Sequence, residues 1–367
     1  MKIAVLSETR GADRRVAVVP VTVAAMVRQG LEVCVQSGAG AEAFFSDADY
    51  TSVGATIGSD AAGAAAGADI VVKIAPPDIS ELDLFSKGQA LVCMLAPAGN
   101  EELLKRLAEL GVSAFALDTV PRITRAQAMD VLSSQSTVAG YRAVLLAAGC
   151  LGVMAPMMMT AAGTIRPAGA LVIGAGVAGL QAIATAKRLG AVVTAIDVRP
   201  AAREQVESLG AKFIPMEVEH DAEDSGGYAA DLGAEFYRSE QEIIAPFCKK
   251  SDMLITTAMI PGRPAPVLIT EQMVENMKPG AVIIDLAAPT GGNCTLSRPG
   301  EIVEHHCVTI HAPLNLPSDI PVDASSMFSS NAFAFIGELL DDENQLNIDL
   351  ENEIIKGTLK THEGQSL

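Results

Sequence analysis

A glycine-rich stretch near the middle of the chain has the spacing of a loop that binds the phosphates of a nucleotide. Gly174, Gly176 and Gly179 follow a short apolar run and open an alanine-rich segment, so the pattern predicts a strand, a tight turn and a helix. Glycines at this spacing permit the sharp turn, let the backbone approach a pyrophosphate and allow the helix to pack closely on the sheet. The N–H groups at the start of such a helix are available to the phosphates.

An acidic residue follows the next predicted strand, about twenty residues beyond the glycines. Asp197 comes directly after the apolar run 191–196. A carboxylate in this position accepts hydrogen bonds from the ribose hydroxyls of NAD and repels the 2′-phosphate of NADP. Arg199 follows closely, and an arginine beside the ribose is one way in which a site accepts NADP. Because Asp197 stands at the strand tip itself, we expect NAD(H), bound by Gly174, Gly176, Val177, Gly179, Asp197, Val198 and Arg199.

The composition favours two α/β domains. The chain has 367 residues, which is long for one ordinary core, and 49% of them are hydrophobic with no tryptophan. Continuous aliphatic runs are typical of parallel strands that are buried on both faces. The net charge of −18 argues against a nucleic-acid partner, because clustered lysines and arginines hold a phosphate backbone.

Apolar runs and helical patterns alternate along the chain and predict two Rossmann-like domains with parallel sheets. The predicted strands are 2–6, 32–36, 69–74, 90–95 and 112–117 in the first third, and 171–173, 192–196, 212–214, 253–257, 282–286 and 308–311 further on. We expect an N-terminal domain without a fingerprint, formed by 1–135 and 315–367 and completed by a C-terminal helix at 326–340. The NAD(H)-binding domain would be 136–314. Its polar stretch 220–237, with Gly227 and Tyr228 near the centre, is expected to be a mobile loop that closes over the nucleotide.

Several segments outside the fingerprint resemble one known family. They are PRITRAQAMDVLSSQS (121–136), MMMTAAGT (157–164) and VAGLQAIATAKRLGA (177–191), with APVLIT (265–270) and GGNC (291–294) adding to the match. The chain resembles the alanine dehydrogenase and nicotinamide nucleotide transhydrogenase superfamily nearly end to end. Within that superfamily it is more similar to the NAD(H)-binding component of the transhydrogenases.

Two positions distinguish the branches of this superfamily. An amino-acid dehydrogenase forms and hydrolyses an imine, so its site needs acid and base groups beside the nicotinamide. The dehydrogenase branch has a histidine and an aspartate at the positions that are Ala96 and Pro289 here. Arg15 and Lys73 remain where the dehydrogenases hold their substrate. The resemblance therefore favours the transhydrogenase branch over a stand-alone alanine-type dehydrogenase, and a non-catalytic NAD-sensing module is the other alternative.

The resemblance implies an activity that needs no proton carrier. Direct hydride transfer between two stacked nicotinamide rings moves no proton, so the protein need only hold the rings close and exclude water. Because the chain has one dinucleotide fingerprint, NADP(H) would lie on a partner subunit, and a membrane-spanning subunit would couple the transfer to proton translocation. The resemblance also implies a homodimer. The chain would be cytoplasmic, peripheral at the inner face of the cytoplasmic membrane and in contact with the membrane only through its partners.

The resemblance further assigns residues to the site. Arg122, Gln127, Asp130 and Ser133 would form a loop beside the nicotinamide, and Gln127 would bridge toward the incoming NADP(H) ring. Asp130 or Ser133 could equally cap the helix that follows. The remaining assignments are Ile123 and Thr124 in the same loop, Val177 against the adenosine or pyrophosphate, Gly227 and Tyr228 in the mobile loop, and Met259 as an apolar wall.

Three histidines late in the chain are the only hint of a metal site. His305, His306 and His311 have no carboxylate or cysteine at ligand spacing in the sequence. We therefore expect no metal.

Overall fold

The computed structural model describes residues 1–216, 233–260 and 263–367. They divide into two compact units. Unit 1 comprises 1–135 and 317–367, and unit 2 comprises 136–316. The sequence predicted the second boundary two residues earlier, between 314 and 315.

The helices and strands are numbered in chain order. Unit 1 begins with β1 (Lys2–Val5), α1 (Pro20–Arg28), β2 (Glu32–Gln36), α2 (Asp47–Ser52), β3 (Thr56–Gly58), α3 (Ala61–Ala65), β4 (Ile70–Val72), β5 (Ala90–Cys93), α4 (Glu101–Glu109) and β6 (Ser113–Ala116), and α5 (Val131–Cys150) crosses into unit 2. Unit 2 continues with β7 (Met158–Thr160), β8 (Gly163–Ile165), β9 (Gly169–Ile173), α6 (Val177–Arg188), β10 (Val192–Ile196), α7 (Ala202–Ser208), β11 (Lys212–Ile214), α8 (Gly233–Cys248), β12 (Met253–Thr256), α9 (Glu271–Glu275), β13 (Val282–Asp285), β14 (Ile302–His305) and β15 (Val308–His311). The chain then returns to unit 1 with α10 (Pro321–Glu338), α11 (Glu353–Thr358), β16 (Leu359–His362) and β17 (Gln365–Ser366).

Each unit is built around one large sheet. The order in unit 1 is β17-β16-β6-β5-β4-β1-β2-β3, and the order in unit 2 is β11-β10-β9-β12-β13-β15-β14. Central strands such as β4, β5, β12 and β13 are buried along their whole length, because helices cover both faces of a parallel sheet. Two hydrophobic clusters therefore form in each unit, one on each face of its sheet.

The expected α/β fold with parallel-rich sheets is confirmed, and the sheet edges differ from the expectation. In unit 2, β14 pairs antiparallel with β15, and in unit 1, β16 pairs antiparallel with β6 and with β17. The last segment of the chain thus completes unit 1 with two strands and a second helix as well as with α10. Short edge strands of this kind have too few apolar residues to show a clear alternating pattern in sequence.

A portion of the expected mobile loop lies outside the described residues. Gly227 and Tyr228 belong to that portion, and the loop's last residues, 233–237, form the start of α8. Among the described helices, none combines the length and the apolar character that crossing a lipid bilayer requires.

Candidate functional site

The glycine loop at the carboxyl end of β9 has the close backbone packing that the fingerprint predicts. Gly174 follows the strand with φ +91°, and a Cβ there would lie 2.5 Å from Oγ1 of Thr257. A Cβ on Gly179 would lie 1.8 Å from the carbonyl oxygen of Gly174, so only glycine lets the first turn of α6 sit this close to the loop. A Cβ on Gly176 would meet no atom of the described residues within 4 Å. The loop is therefore tightly packed at Gly174 and Gly179 and open at Gly176. The open side at Gly176 is the one that a pyrophosphate would approach.

Asp197 lies at the tip of β10 and turns back toward this loop. Its Oδ2 accepts the N–H of Ala175 at 2.6 Å, so the carboxylate is fixed beside the backbone of the glycine loop. Arg199 holds the same carboxylate from the other side, with its backbone N–H and Nε 2.8 and 2.9 Å from Oδ1 and its Nη2 2.9 Å from Oδ2. A carboxylate has about four strong acceptor directions, and all four are used here. Asp197 is thus at the expected place but is not open to ribose hydroxyls while Arg199 keeps this position.

The expected apolar positions are exposed beside the loop. Val177 begins α6 with 41% of its surface exposed, and Met259 follows β12 with 42% exposed. Neither side chain is buried in the hydrophobic core, so both can contact a ligand. Val198 lies between Asp197 and Arg199 and packs partly on the core of unit 2.

A buried aspartate that sequence reasoning missed organises the rest of this sheet edge. Asp285 is fully buried at the end of β13 and accepts hydrogen bonds from Thr256, Ala287, Asn293, Cys294 and Ser297. The Asn293 side chain in turn bonds both backbone groups of Ala258 and the carbonyl of Pro266. This network fixes the segment that precedes Met259. Its only signal in sequence was an acidic residue at a strand tip, the same signal that singled out Asp197.

A second buried acid lies on α8. Glu240 is 4% exposed, and burial raises the pKa of its carboxyl to about 7, with a further contribution from the charge of Asp197. The site at the carboxyl edge of unit 2 therefore combines a carboxylate held by an arginine with a nearby carboxyl that titrates close to neutrality. Nothing in the spacing of Glu240 along the sequence predicted this.

The second group of expected site residues lies in unit 1, between β6 and α5. Residues Thr124–Met129 form a 3₁₀ turn in which Ala126 and Met129 are buried and Gln127 is exposed; Arg122, which precedes the turn, is also exposed. The amide of Gln127 is thus presented to solvent by two buried anchors. Ile123 is half-buried and Thr124 is exposed, so these two residues form the base and the surface of the turn.

Asp130 caps α5. Its Oδ1 accepts the backbone N–H of Ser133 at 2.8 Å, and its Oδ2 accepts the Ser133 hydroxyl at 2.5 Å. A side chain that accepts the third N–H of a helix is the usual N-cap. The expected contact of Asp130 with the nicotinamide would be a second role of the same side chain, and it stays a prediction. The capping interaction fixes where the 3₁₀ turn ends and therefore where Gln127 points.

The C-terminal segment holds this turn in place. Arg125 donates to Glu338 at 2.7 Å and to Asn352 at 2.9 Å, and Asn331 donates to the carbonyl of Ala128 at 2.7 Å. These contacts link the turn to the last two helices, α10 and α11. They give the return of the chain to unit 1 a direct role in positioning the candidate residues.

Lys73 and Arg15 are buried and paired with side chains of their own unit. The Lys73 ammonium donates to the Ser7 carbonyl at 2.8 Å and forms an ion pair with Glu81 at 3.1 Å. Arg15 binds both oxygens of Asp13, and its Nη1 donates to Gln135 at 2.7 Å. Both cations thus have internal counter-ions.

A buried acid accompanies Lys73. Burial raises the pKa of Glu8, although the charge of Lys73 and hydrogen bonds from the backbone of Ile74 and Ala75 act in the opposite direction. This carboxyl, the Lys73 ammonium and Glu81 make a closed polar network beyond the carboxyl ends of β1 and β4. Ala96 and Pro289 add no ionisable group in their respective units, and Ala96 donates its backbone N–H to Asp118.

The histidines have acidic neighbours that the sequence spacing did not reveal. The side chains of Glu271 and Glu275 on α9 lie within 4 Å of the imidazole of His305, and Glu275 also lies within 4 Å of His306. We expected no metal because the sequence has no carboxylate at ligand spacing from these histidines. That reason is wrong, because the folded chain brings two carboxylates next to them. The acids come from an element about thirty residues earlier, so no local pattern could show them.

Comparisons with known proteins agree with this arrangement. Family models described as the N-terminal and the C-terminal domain of alanine dehydrogenase/PNT match residues 4–139 and 143–367. The chain is 50% identical over 372 residues to the first portion of the NAD(P) transhydrogenase alpha subunit of Rhodospirillum rubrum, and the match covers 99% of this chain and 97% of that protein. It is 30% identical over 379 residues to alanine dehydrogenase of Mycobacterium tuberculosis, with 100% and 95% covered.

A solved structure agrees with the sequence matches. The transhydrogenase from Sinorhizobium meliloti superposes with a TM-score of 0.87 at 40% identity, covering 100% of this chain and 99% of that one. Membership of this family implies NAD(H) binding. The chain therefore belongs to the alanine dehydrogenase/PNT family, on the branch of the NAD(P) transhydrogenase alpha subunits.

Proposed function

We propose that this chain binds NAD(H) at the 174–179 loop and exchanges hydride with NADP(H) on a partner subunit, in an assembly that couples the exchange to proton translocation across a membrane. NAD(H), when bound, supplies the hydride donor or acceptor. The loop backbone and the start of α6 bind its pyrophosphate. Asp197 binds its ribose after the Arg199 side chain moves away from the carboxylate. Met259 and Val177 contact apolar portions of the nucleotide. Gln127 in the 3₁₀ turn and Arg122 just before it position the reacting end.

The observation that carries this proposal is the lack of proton-transfer groups at the two positions where the dehydrogenase branch has them. Ala96 and Pro289 carry no acid or base, and Arg15 and Lys73 already have internal carboxylate partners. These two positions therefore offer an amino-acid substrate no group that could transfer a proton. Arg15 and Lys73 are already paired with Asp13 and Glu81, so neither is open to the carboxylate of such a substrate. Hydride transfer between two nicotinamides needs only close, dry contact between the rings.

A homodimer is included in the proposal, and an apolar hairpin supports it. The β7–β8 hairpin and the segment before it expose large hydrophobic side chains, with Met159 77% exposed. Clustered exposed apolar residues mark interaction surfaces in soluble domains. The members of the cluster are Val153, Met154, Met157, Met158, Met159 and Ile165. We expect Met159→Asp to shift the chain from dimer to monomer in sedimentation velocity, whereas the exposed control Val192→Asp leaves the dimer intact.

Contact with the membrane is proposed for the partner subunits and not for this chain. The alpha subunit would sit at the inner face of the cytoplasmic membrane and contact it only through a membrane-spanning subunit. The naming of its relatives as one subunit of a larger enzyme supports this arrangement.

The test is hydride exchange between NADH and an oxidised NADP analogue, measured with the chain alone and after mixing with an NADP(H)-binding transhydrogenase component. Exchange that appears only in the mixture supports the proposal. Gln127→Ala should then slow exchange in the mixture by at least about tenfold while NADH affinity stays unchanged, since Gln127 positions the rings and does not anchor the pyrophosphate. Gln205→Ala, an exposed glutamine on α7, is the matched control.

Two outcomes would overturn the proposal. Oxidation of NADH by the isolated chain with pyruvate and ammonia would restore the amino-acid dehydrogenase. Tight NADH binding without any exchange in the mixture would leave a non-catalytic NAD-sensing module.

A further inference from the structure

The hairpin between β14 and β15 has a two-residue turn formed by His306 and Cys307. His306 and Cys307 have φ of 49° and 60°, in the left-handed region that favours glycine, and His305 pairs with Val308 across the turn. Positive φ at both loop residues is the usual geometry of a two-residue hairpin, because its twist matches that of the flanking strands. The turn brings the rings of His305 and His306 together, with their centroids 4.8 Å apart and their planes tilted by 30°.

Helix α9 places carboxylates against these rings. Oε1 of Glu275 lies 3.7 Å from Nε2 of His305 and 3.7 Å from Nε2 of His306. Oε1 of Glu271, one helical turn earlier on the same face, lies 3.5 Å from Nε2 of His305. One ligand atom from each of Glu275, His305 and His306 lies within 4.8 Å of the others.

The His305 nitrogen in this cluster has no hydrogen-bond partner among the described residues. Its Nε2 is shielded from solvent and makes no hydrogen bond to them, although two carboxylate oxygens are near it. A tetrahedral zinc ion with bonds of about 2.0–2.2 Å keeps its ligand atoms roughly 3.3–3.6 Å apart. The two 3.7 Å separations from Glu275 are close to this range and too long for direct hydrogen bonds, so these groups are placed to share an ion after a small adjustment of the side chains.

We propose that Glu275, His305 and His306 form a Zn²⁺ site, with solvent as the fourth ligand. Two imidazoles and a carboxylate are ligands that zinc prefers, whereas Mg²⁺ and Ca²⁺ prefer oxygen. The neighbouring carboxylate of Glu271 adds negative charge beside the ion. The ion would join α9 to the β14–β15 hairpin.

The position of this site separates it from the nucleotide. Because β15 runs parallel to β13, the hairpin turn lies at the amino edge of the unit 2 sheet. The glycine loop follows β9 at the carboxyl edge of the same sheet. Zinc bound there stabilises unit 2 without touching NAD(H), so this inference does not depend on the proposed function.

The test uses the full chain, purified without a polyhistidine tag and stripped with a chelator. Zn²⁺ is titrated at pH 7.5 against a competing chromophore, and Co²⁺ is added separately to look for the visible absorption of a tetrahedral site. We expect one equivalent of Zn²⁺ per chain, a rise in Tm of about 3 °C or more, and no displacement by millimolar Mg²⁺. NADH affinity should stay the same.

Three variants locate the site and one controls for charge. His305→Ala, His306→Ala and Glu275→Gln should each weaken Zn²⁺ binding at least tenfold and remove the rise in Tm. Glu304→Gln changes the same charge on the next residue of β14, which faces the opposite side of the strand, and should bind Zn²⁺ like the wild type. Glu275 is partly exposed, so its variant is expected to fold even if a histidine variant does not. Failure of the wild type to bind one equivalent, or equal binding by Glu275→Gln and Glu304→Gln, would overturn the proposal.

Discussion

The two sheets carry ionic groups at their carboxyl edges and use them in different ways. In unit 1, Lys73 is fully buried and its charge is satisfied by Glu81 and the Ser7 carbonyl. In unit 2, Asp197 is also satisfied, but it lies beside a glycine loop that is open above Gly176. The comparison teaches that the carboxyl edge of a parallel sheet supplies the place for a site, and that the two edges differ in accessible backbone, which the proposed nucleotide site requires.

The largest expected effect is a loss of stability when the buried ion pair of unit 1 is disrupted. Lys73→Met removes the cation that pairs with Glu81 and the donor to the Ser7 carbonyl, which should lower the free energy of unfolding by about 4 kcal/mol. Urea unfolding measures the loss, and NADH titration should show unchanged affinity because the glycine loop belongs to unit 2. Lys105→Met, on the exposed face of α4, is the control and should be nearly neutral. A stable Lys73→Met protein that has lost NADH binding would contradict the division of roles.

The buried acid of unit 2 should make stability depend on pH. The pKa of Glu240 is raised to about 7 from an ordinary 4.5, so the folded state keeps a proton that the unfolded state has lost between these values. Stability from this group is present below pH 4.5 and falls by about 3 kcal/mol as the pH rises to 7. Glu240→Gln cannot lose that proton, so the variant should gain stability over the wild type from about pH 5 to pH 8. Glu242→Gln, on the exposed side of α8, should show a constant difference in urea midpoints, and a constant difference for Glu240→Gln would refute this assignment.

A pair of glycine variants separates the packing of the loop from its openness. Gly179→Ala would place a Cβ 1.8 Å from the Gly174 carbonyl, so it should lower both Tm and NADH affinity, the latter by roughly a hundredfold. Gly176→Ala meets no described protein atom within 4 Å and should keep the wild-type Tm while losing about tenfold in affinity. Differential scanning fluorimetry and NADH titration measure the two quantities. Wild-type affinity in Gly176→Ala would mean that the pyrophosphate does not approach this side.

The smallest expected effect concerns cofactor choice. Arg199 neutralises Asp197, so Arg199→Ala should expose the negative charge and increase the preference for NADH over NADPH by about fivefold. Asp197→Asn should reduce that preference. Arg188→Ala, at the exposed end of α6, controls for the loss of a surface charge, and the ratio of the two dissociation constants is the measurement. An unchanged ratio in both Arg199→Ala and Asp197→Asn would show that this carboxylate does not face the ribose.

The sequence predicted the elements of the fold that have a strong local pattern. The strands at 32–36 and 192–196 were predicted with the bounds that the structure gives, because each is rich in valine and other apolar residues that favour strands. The glycine loop was predicted because its packing needs residues without a Cβ. The roles of Gln127 and Arg122 came from resemblance to a family and stay predictions.

The sequence did not predict contacts between distant residues. Arg199 on Asp197, the five donors around Asp285, and the raised pKa of Glu240 all depend on side-chain directions and burial that only the folded chain sets. The acids beside His305 and the antiparallel partner of β6 come from distant segments. Local periodicity carries no information about either.

The return of the chain to unit 1 has a consequence for its synthesis. Strand β6 pairs with β16 through Ala114 and Thr361, so the whole of unit 2 is translated between the two partners. At about 5–20 residues per second, the nascent chain exposes an open β edge and an uncovered core while it waits. Unit 2, whose residues are contiguous, has all of its strands before the chain is finished, whereas unit 1 completes its sheet only after its last residues have been made.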